Sequence, residues 1–113
     1  MTQIYHNPRC SKSRQGLEIL ENSGKPFEIV KYLDENLSAK ALTEIITLLE
    51  IKPIALVRKN EAIWKSDFKG KDLTDAEIID AMVNNPKLIE RPIVINGNKA
   101  VIGRPPSLIS DII

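Results

Sequence analysis

The 113-residue chain holds one cysteine, Cys10, and one histidine, His6. A single thiol excludes an intramolecular disulfide. Together with an N-terminus that begins directly in strand-like residues and shows no signal pattern, this predicts the reducing cytoplasm. Neither sign of charge dominates. Sixteen Lys and Arg face fifteen Asp and Glu, for a net charge of +1. Such a balance argues against a chain built to coat nucleic acid or an anionic membrane, so any cationic site has to be gathered locally from a few residues. No apolar run approaches the roughly 20 residues needed to span a bilayer. The acidic residues are scattered and form no metal-like cluster, so no metal is expected. Repeats, linkers and low-complexity segments are also missing. What remains is an ordinary globular balance of 42% hydrophobic and 27% charged residues. The length favours one domain over residues 1–113, and the chain is expected to act as a monomer. A chain of this size buries about two-thirds of its unfolded surface without needing staples.

The patterning predicts a short strand over Gln3–Tyr5 and a loop at His6-Asn7-Pro8-Arg9, where Asn-Pro breaks regular structure. A helix is predicted from Ser13, with Leu17, Leu20 and less regularly Ile19 on its apolar face. Gly24 stops it. Phe27–Tyr32 reads as a second strand. Ser38 caps a helix over Ala39–Leu49, with Leu42, Ile45, Ile46 and Leu49 apolar. Pro53 opens a short helix or turn. Asn60–Lys71 reads as polar and irregular, anchored by Trp64 and Phe68. Thr74-Asp-Ala-Glu77 is a capping box that starts a helix running to about Asn84, and Pro86 ends it. Ile93–Ile95 and Lys99–Ile102 read as antiparallel strands about the Asn96-Gly97-Asn98 turn. Ser107–Ile113 reads as a terminal helix. The order is β-α-β, a helical block, then β-β-α. It matches an α/β thioredoxin-like sheet with a helical insertion between its halves. Pro92 stands directly before the third strand, where that fold places a cis-proline.

Cys10 lies between the first strand and the first helix. There it faces unsatisfied backbone N–H groups and the positive end of the helix dipole. Arg9, Lys12 and Arg14 add positive potential. An unperturbed thiol titrates near 8.5, and such surroundings lower it to roughly 3.5–7.5. A core cysteine is the plain alternative, but the neighbours Pro8-Arg9 and Ser11-Lys12 are not apolar. Ser13 occupies the fourth position of what would otherwise be Cys-x-x-Cys. It either bonds the thiolate or caps the first turn. Without a resolving thiol in the chain, a two-electron cycle needs an external one.

His6-Asn7-Pro8-Arg9-Cys10-Ser11-Lys12-Ser13-Arg14 resembles the active-site segment of the glutathione/glutaredoxin-coupled arsenate reductases. Ala55-Leu56-Val57-Arg58-Lys59-Asn60, Glu90-Arg91-Pro92-Ile93-Val94 and Ile102-Gly103-Arg104-Pro105 resemble the segments that carry that family's three anion-binding arginines. The resemblance extends over essentially the whole chain and is closer to the chromosomal branch than to dedicated resistance proteins. It implies that Cys10 attacks arsenic and that Arg58, Arg91 and Arg104 bind the oxyanion, using paired hydrogen bonds from planar guanidinium groups. It further implies no bound cofactor, glutathione as co-substrate and glutaredoxin as partner, with arsenate reduced to arsenite.

Supporting places fall to His6, Asn7, Ser13, Arg14 and Pro92. His6 either acts as a base or tunes Cys10, or else only bonds the loop backbone. Asn7 is expected to bond backbone in the loop. Arg14 either supports the site or makes a surface salt bridge. Two other functions fit the same fold. One is a general glutathione-dependent oxidoreductase, needing Cys10 but not the arginines. The other is a redox-linked transcription regulator that binds RNA polymerase; most of these sense through Cys-x-x-Cys, which Ser13 removes.

Overall fold

The computed structural model describes residues 2–35 and 37–113. The chain divides into two compact units. One combines the residues up to Glu35 with Arg91–Ile113, and the other is the intervening segment ending at Glu90.

The first unit is a four-stranded mixed sheet. Its strands are β1 (Thr2–Tyr5), β2 (Phe27–Val30), β3 (Ile93–Asn96) and β4 (Lys99–Ile102), in the order β2-β1-β3-β4. β1 runs parallel to β2, with Ile4 opposite Ile29, and antiparallel to β3, with Ile4 opposite Val94. β3 and β4 form the expected hairpin, with Gly97 at φ 63° in the turn. Helix α1 (Ser11–Ser23) links β1 to β2. Gly24 ends it in the left-handed conformation, φ 71°, where the lack of a Cβ removes the steric cost. Ile4, Leu20, Val94 and Ile109 form a buried cluster, with Leu17, Ile19, Phe27 and Val101 packed around it. The predicted β-α-β and β-β halves are therefore present.

The intervening unit is helical. It holds α2 (Ala39–Leu49), α3 (Ala62–Asp67) and α4 (Asp75–Asn84). Ser38 caps α2 by accepting a bond from the Ala41 N–H. Thr74 and Glu77 form the reciprocal capping box of α4. α2 and α4 pack together, and their buried residues are Leu42, Ile45 and Ile46 in α2 and Ile78, Ala81 and Met82 in α4. Val57 and Ile89 form an antiparallel bridge, flanked by Arg58 N–H to Leu88 C=O at 2.7 Å and Glu90 N–H to Leu56 C=O at 2.8 Å.

Four local expectations are corrected. α1 begins at Ser11, not Ser13, because Cys10 already takes the N-cap position. β2 ends at Val30, not Tyr32; the chain turns there, with Asp34 and Glu35 N–H groups both donating to the Lys31 carbonyl. The polar stretch 60–71 contains a helix, α3. Trp64 and Phe68, four residues apart, stack with ring centroids 5.4 Å apart and hold that turn. The terminal helix is a 3-10 turn over Pro106–Asp111, whose ends close through bonds three residues apart, Leu108 N–H to Pro105 C=O at 3.1 Å and Ile112 N–H to Ile109 C=O at 3.2 Å. Pro86 likewise opens a 3-10 turn over Pro86–Leu88.

Candidate active site

Cys10 is the N-cap of α1, with φ −98° and ψ 124°, and is 8% exposed. The loop before it is tightly bonded. The Cys10 N–H donates to the Asn7 carbonyl at 3.0 Å, and the Arg9 N–H donates to Asn7 Oδ1 at 3.0 Å. Arg14 Nη1 donates to the Pro8 carbonyl at 2.9 Å. Asn7 thus bonds backbone, as expected. Arg14 supports the loop from outside instead of forming a salt bridge.

Burial pushes the Cys10 thiol up, but stabilisation of the thiolate outweighs it. The Ser13 backbone N–H, a hydrogen bond from the Arg91 side chain, the Arg91 charge and the Lys12 backbone N–H all act downward, and the net pKa lies below the ordinary value. Arg104 Nη2 lies 3.5 Å from the sulfur. Arg104 is steadied by its Nε, which donates to the Arg91 carbonyl at 2.9 Å. Two of the three sequence-predicted arginines therefore meet at the thiol, one from the residue before Pro92 and one from just beyond β4.

Ser13 is fully buried, and its two polar groups have separate tasks. Its backbone N–H serves Cys10, as above. Its hydroxyl lies 2.7 Å from His6 Nδ1 and accepts the Asn7 N–H at 2.9 Å. His6 is 5% exposed, and its own N–H donates to the Val30 carbonyl. Burial holds the His6 pKa below its ordinary value. The Ser13 backbone opposes this, while the Lys31 and Arg14 charges add to the lowering.

Pro92 is fully buried, and both the Arg91–Pro92 and the Arg104–Pro105 bonds are cis. Gly16 and Gly103 close around the Pro92 ring. A Cβ on Gly16 would come within 2.9 Å of Pro92 Cγ, and one on Gly103 within 2.8 Å. Arg58 belongs to the helical unit. Its Nη1 pairs with Glu61, and its Nε lies 3.6 Å from Glu90 Oε1. The sequence reading missed these two carboxylates. The signal was there for one of them, since Glu61 follows Arg58 at a spacing of three. Among the described residues no group of three or more His, Cys, Asp or Glu could hold a metal, and no helix is long and apolar enough to cross a membrane.

A thioredoxin-like sheet carrying one cysteine, activated at the start of its first helix, defines a single-thiol member of that fold class. A model of the ArsC family matches residues 5–112, and the chain belongs to this family. It is 44% identical to an arsenate reductase of Haemophilus influenzae, over 97% of each chain. It is 42% identical to the uncharacterised YfgD protein of Escherichia coli K12, over 98% of this chain and 95% of that one. The solved arsenate reductase from Vibrio cholerae superposes with a TM-score of 0.94 at 38% identity, covering 99% of this chain and 97% of that one.

Proposed function

We propose that the chain reduces arsenate to arsenite in the cytoplasm, as a monomer with no bound cofactor, using glutathione and glutaredoxin. The observation that carries this reading is the Cys10 thiol, buried with its pKa lowered beneath Arg91 and Arg104. Its relatives in Haemophilus influenzae and Neisseria meningitidis are named arsenate reductases. The Cys10 thiolate attacks arsenic and water leaves, giving a thiol–arsenate adduct. The glutathione thiol adds next, with loss of a second water. Glutaredoxin then attacks the glutathione sulfur. The electron pair of the S–As bond stays on arsenic, which passes from the +5 to the +3 state, and hydrolysis releases arsenite and Cys10. Two thiols supply the two electrons and leave as the glutathione–glutaredoxin disulfide. Arg91, Arg104 and Arg58 bind the oxyanion in this scheme, and no nucleic acid takes part.

One observation favours a second reading, a general glutathione-dependent oxidoreductase. Arg58 is already engaged by Glu61 and Glu90, so its availability to an oxyanion depends on their release or sharing. A coupled assay following NADPH oxidation with arsenate, glutathione, glutaredoxin and glutathione reductase separates the two. Arsenate-dependent oxidation that vanishes in Cys10→Ser is the expected result. Turnover of a mixed disulfide with no response to arsenate would replace the first reading by the second.

A further inference from the structure

Charge is segregated along this nearly neutral chain. Residues 1–17 and 91–110 hold six of the sixteen Lys and Arg, namely Arg9, Lys12, Arg14, Arg91, Lys99 and Arg104. They hold none of the fifteen Asp and Glu. The first carboxylate is Glu18, and the next after Glu90 is Asp111. Both segments belong to the unit that contains Cys10.

The six cations do not have the same task. Arg91 and Arg104 attend the sulfur. Arg14 is fastened to the Pro8 carbonyl, and Lys99 opens β4 at the end away from Arg104. Arg9 and Lys12 remain, one residue before Cys10 and two after it. Arg9 is exposed and Lys12 half-exposed, and among the described residues neither is paired with a carboxylate. Arg9 stands on the loop held by the Asn7 and Pro8 bonds and Lys12 in the first turn of α1, so the backbone that carries these two cations is fixed on either side of Cys10.

We infer that Arg9 and Lys12 bind the carboxylates of the small thiol that reacts at Cys10, so that the co-substrate is selected by its negative charge as well as by its sulfur. This rests on the glutathione-dependent reading above and names a subsite for it. Glutathione carries two carboxylates and one ammonium close to its thiol, a compact acidic ligand. Two cations within two residues of the reacting atom fit such a ligand better than a broad acidic protein face. Exposed ion pairs are individually weak, so the subsite supplies preference among thiols.

Thiol–disulfide exchange tests this without arsenic. The Cys10 thiolate attacks one sulfur of glutathione disulfide. The Cys10–glutathione bond forms, the original S–S bond breaks, and one glutathione leaves with the electron pair and takes a proton from water. The same attack on neutral bis(2-hydroxyethyl) disulfide reports thiolate reactivity alone. Dividing the first rate by the second therefore removes any change in the thiolate itself. In Arg9→Gln/Lys12→Gln the ratio should fall about 3- to 10-fold, with each single variant in between. High salt should lower the wild-type ratio toward the double variant's. Failure of arsenate turnover in the coupled assay would count against the proposed reaction and leave this ratio untouched. An unchanged ratio, or two rates that fall together, would overturn the subsite.

Discussion

At the scale of single residues, Cys10 gathers the most independent support. Its thiol should titrate below the free-cysteine value of about 8.5, as read from thiolate absorbance near 240 nm. Alkylation should therefore be fast at neutral pH and fall about tenfold per unit below the lowered pKa. A midpoint at the free value would remove the activated nucleophile. Arg91→Ala and Arg104→Ala each remove a charged hydrogen-bond donor, and about 1.5–3 kcal/mol corresponds to roughly 10- to 150-fold in arsenate kcat/KM. Both should raise the thiol pKa as well, and Lys should rescue poorly because it lacks the planar fork. His6 gives a different pH signature. Its folded pKa is lowered, mainly by burial, so the fold favours the neutral ring. That contribution is complete above the unfolded value near 6.5 and is lost as pH falls through the lower folded value. His6 is the chain's one histidine, so in a Cys10→Ser background, which removes the lowered thiol that titrates with the same sign, the urea midpoint should drop between pH 7.5 and 5.5, and His6→Gln should flatten the drop. Cys10 could be read from its polar neighbours. The paths of the Ser13 hydroxyl and the Glu90 carboxylate could not, because a side chain's direction depends on what folds beside it.

At the scale of elements, local signals with a local cause were legible and long-range ones were not. Ser38, Thr74-x-x-Glu77 and Asn96-Gly97 act on backbone a few residues away, and α2, α4 and the β3–β4 turn lie where those residues put them. α3 was hidden within a polar stretch, where its buried Trp64 stacks on Phe68 at its end. Thr74→Ala should remove the cap and cost about 0.5–2 kcal/mol, measured by urea unfolding. Gly16 is the less visible case. Nothing in its neighbourhood along the chain says that Pro92 and Ile109 lie against it. In Gly16→Ala, overpacking costs typically 1–3 kcal/mol and helix propensity returns at most about 1, so a net loss of stability is expected. The rigid Pro92 ring adjoins Arg91, so the same variant should slow Cys10 alkylation. Normal stability with normal reactivity would mean that the packing at Pro92 yields without consequence.

Across the whole molecule, one thiol means that the electrons must come from outside. Activity should depend on glutathione with glutaredoxin, and equal rates with thioredoxin alone would contradict that coupling. The net charge of +1 concealed the cationic segments, because a sum over the chain cannot reveal which stretches fold into one unit. The strand order has a further consequence, concerning the order of synthesis. β1 emerges first from the ribosome, but its second edge is closed by β3, which emerges only after the entire helical segment. Until then Ile4 lacks Val94, and Cys10 lacks both guanidinium groups. A polypeptide stalled before residue 91 therefore offers the thiol only the Ser13 and Lys12 backbone N–H groups, and should react more slowly than the finished chain. Arg91 and Arg104 are translated in the final quarter of the message, so the sulfur gains its two guanidinium groups only when the chain is nearly complete.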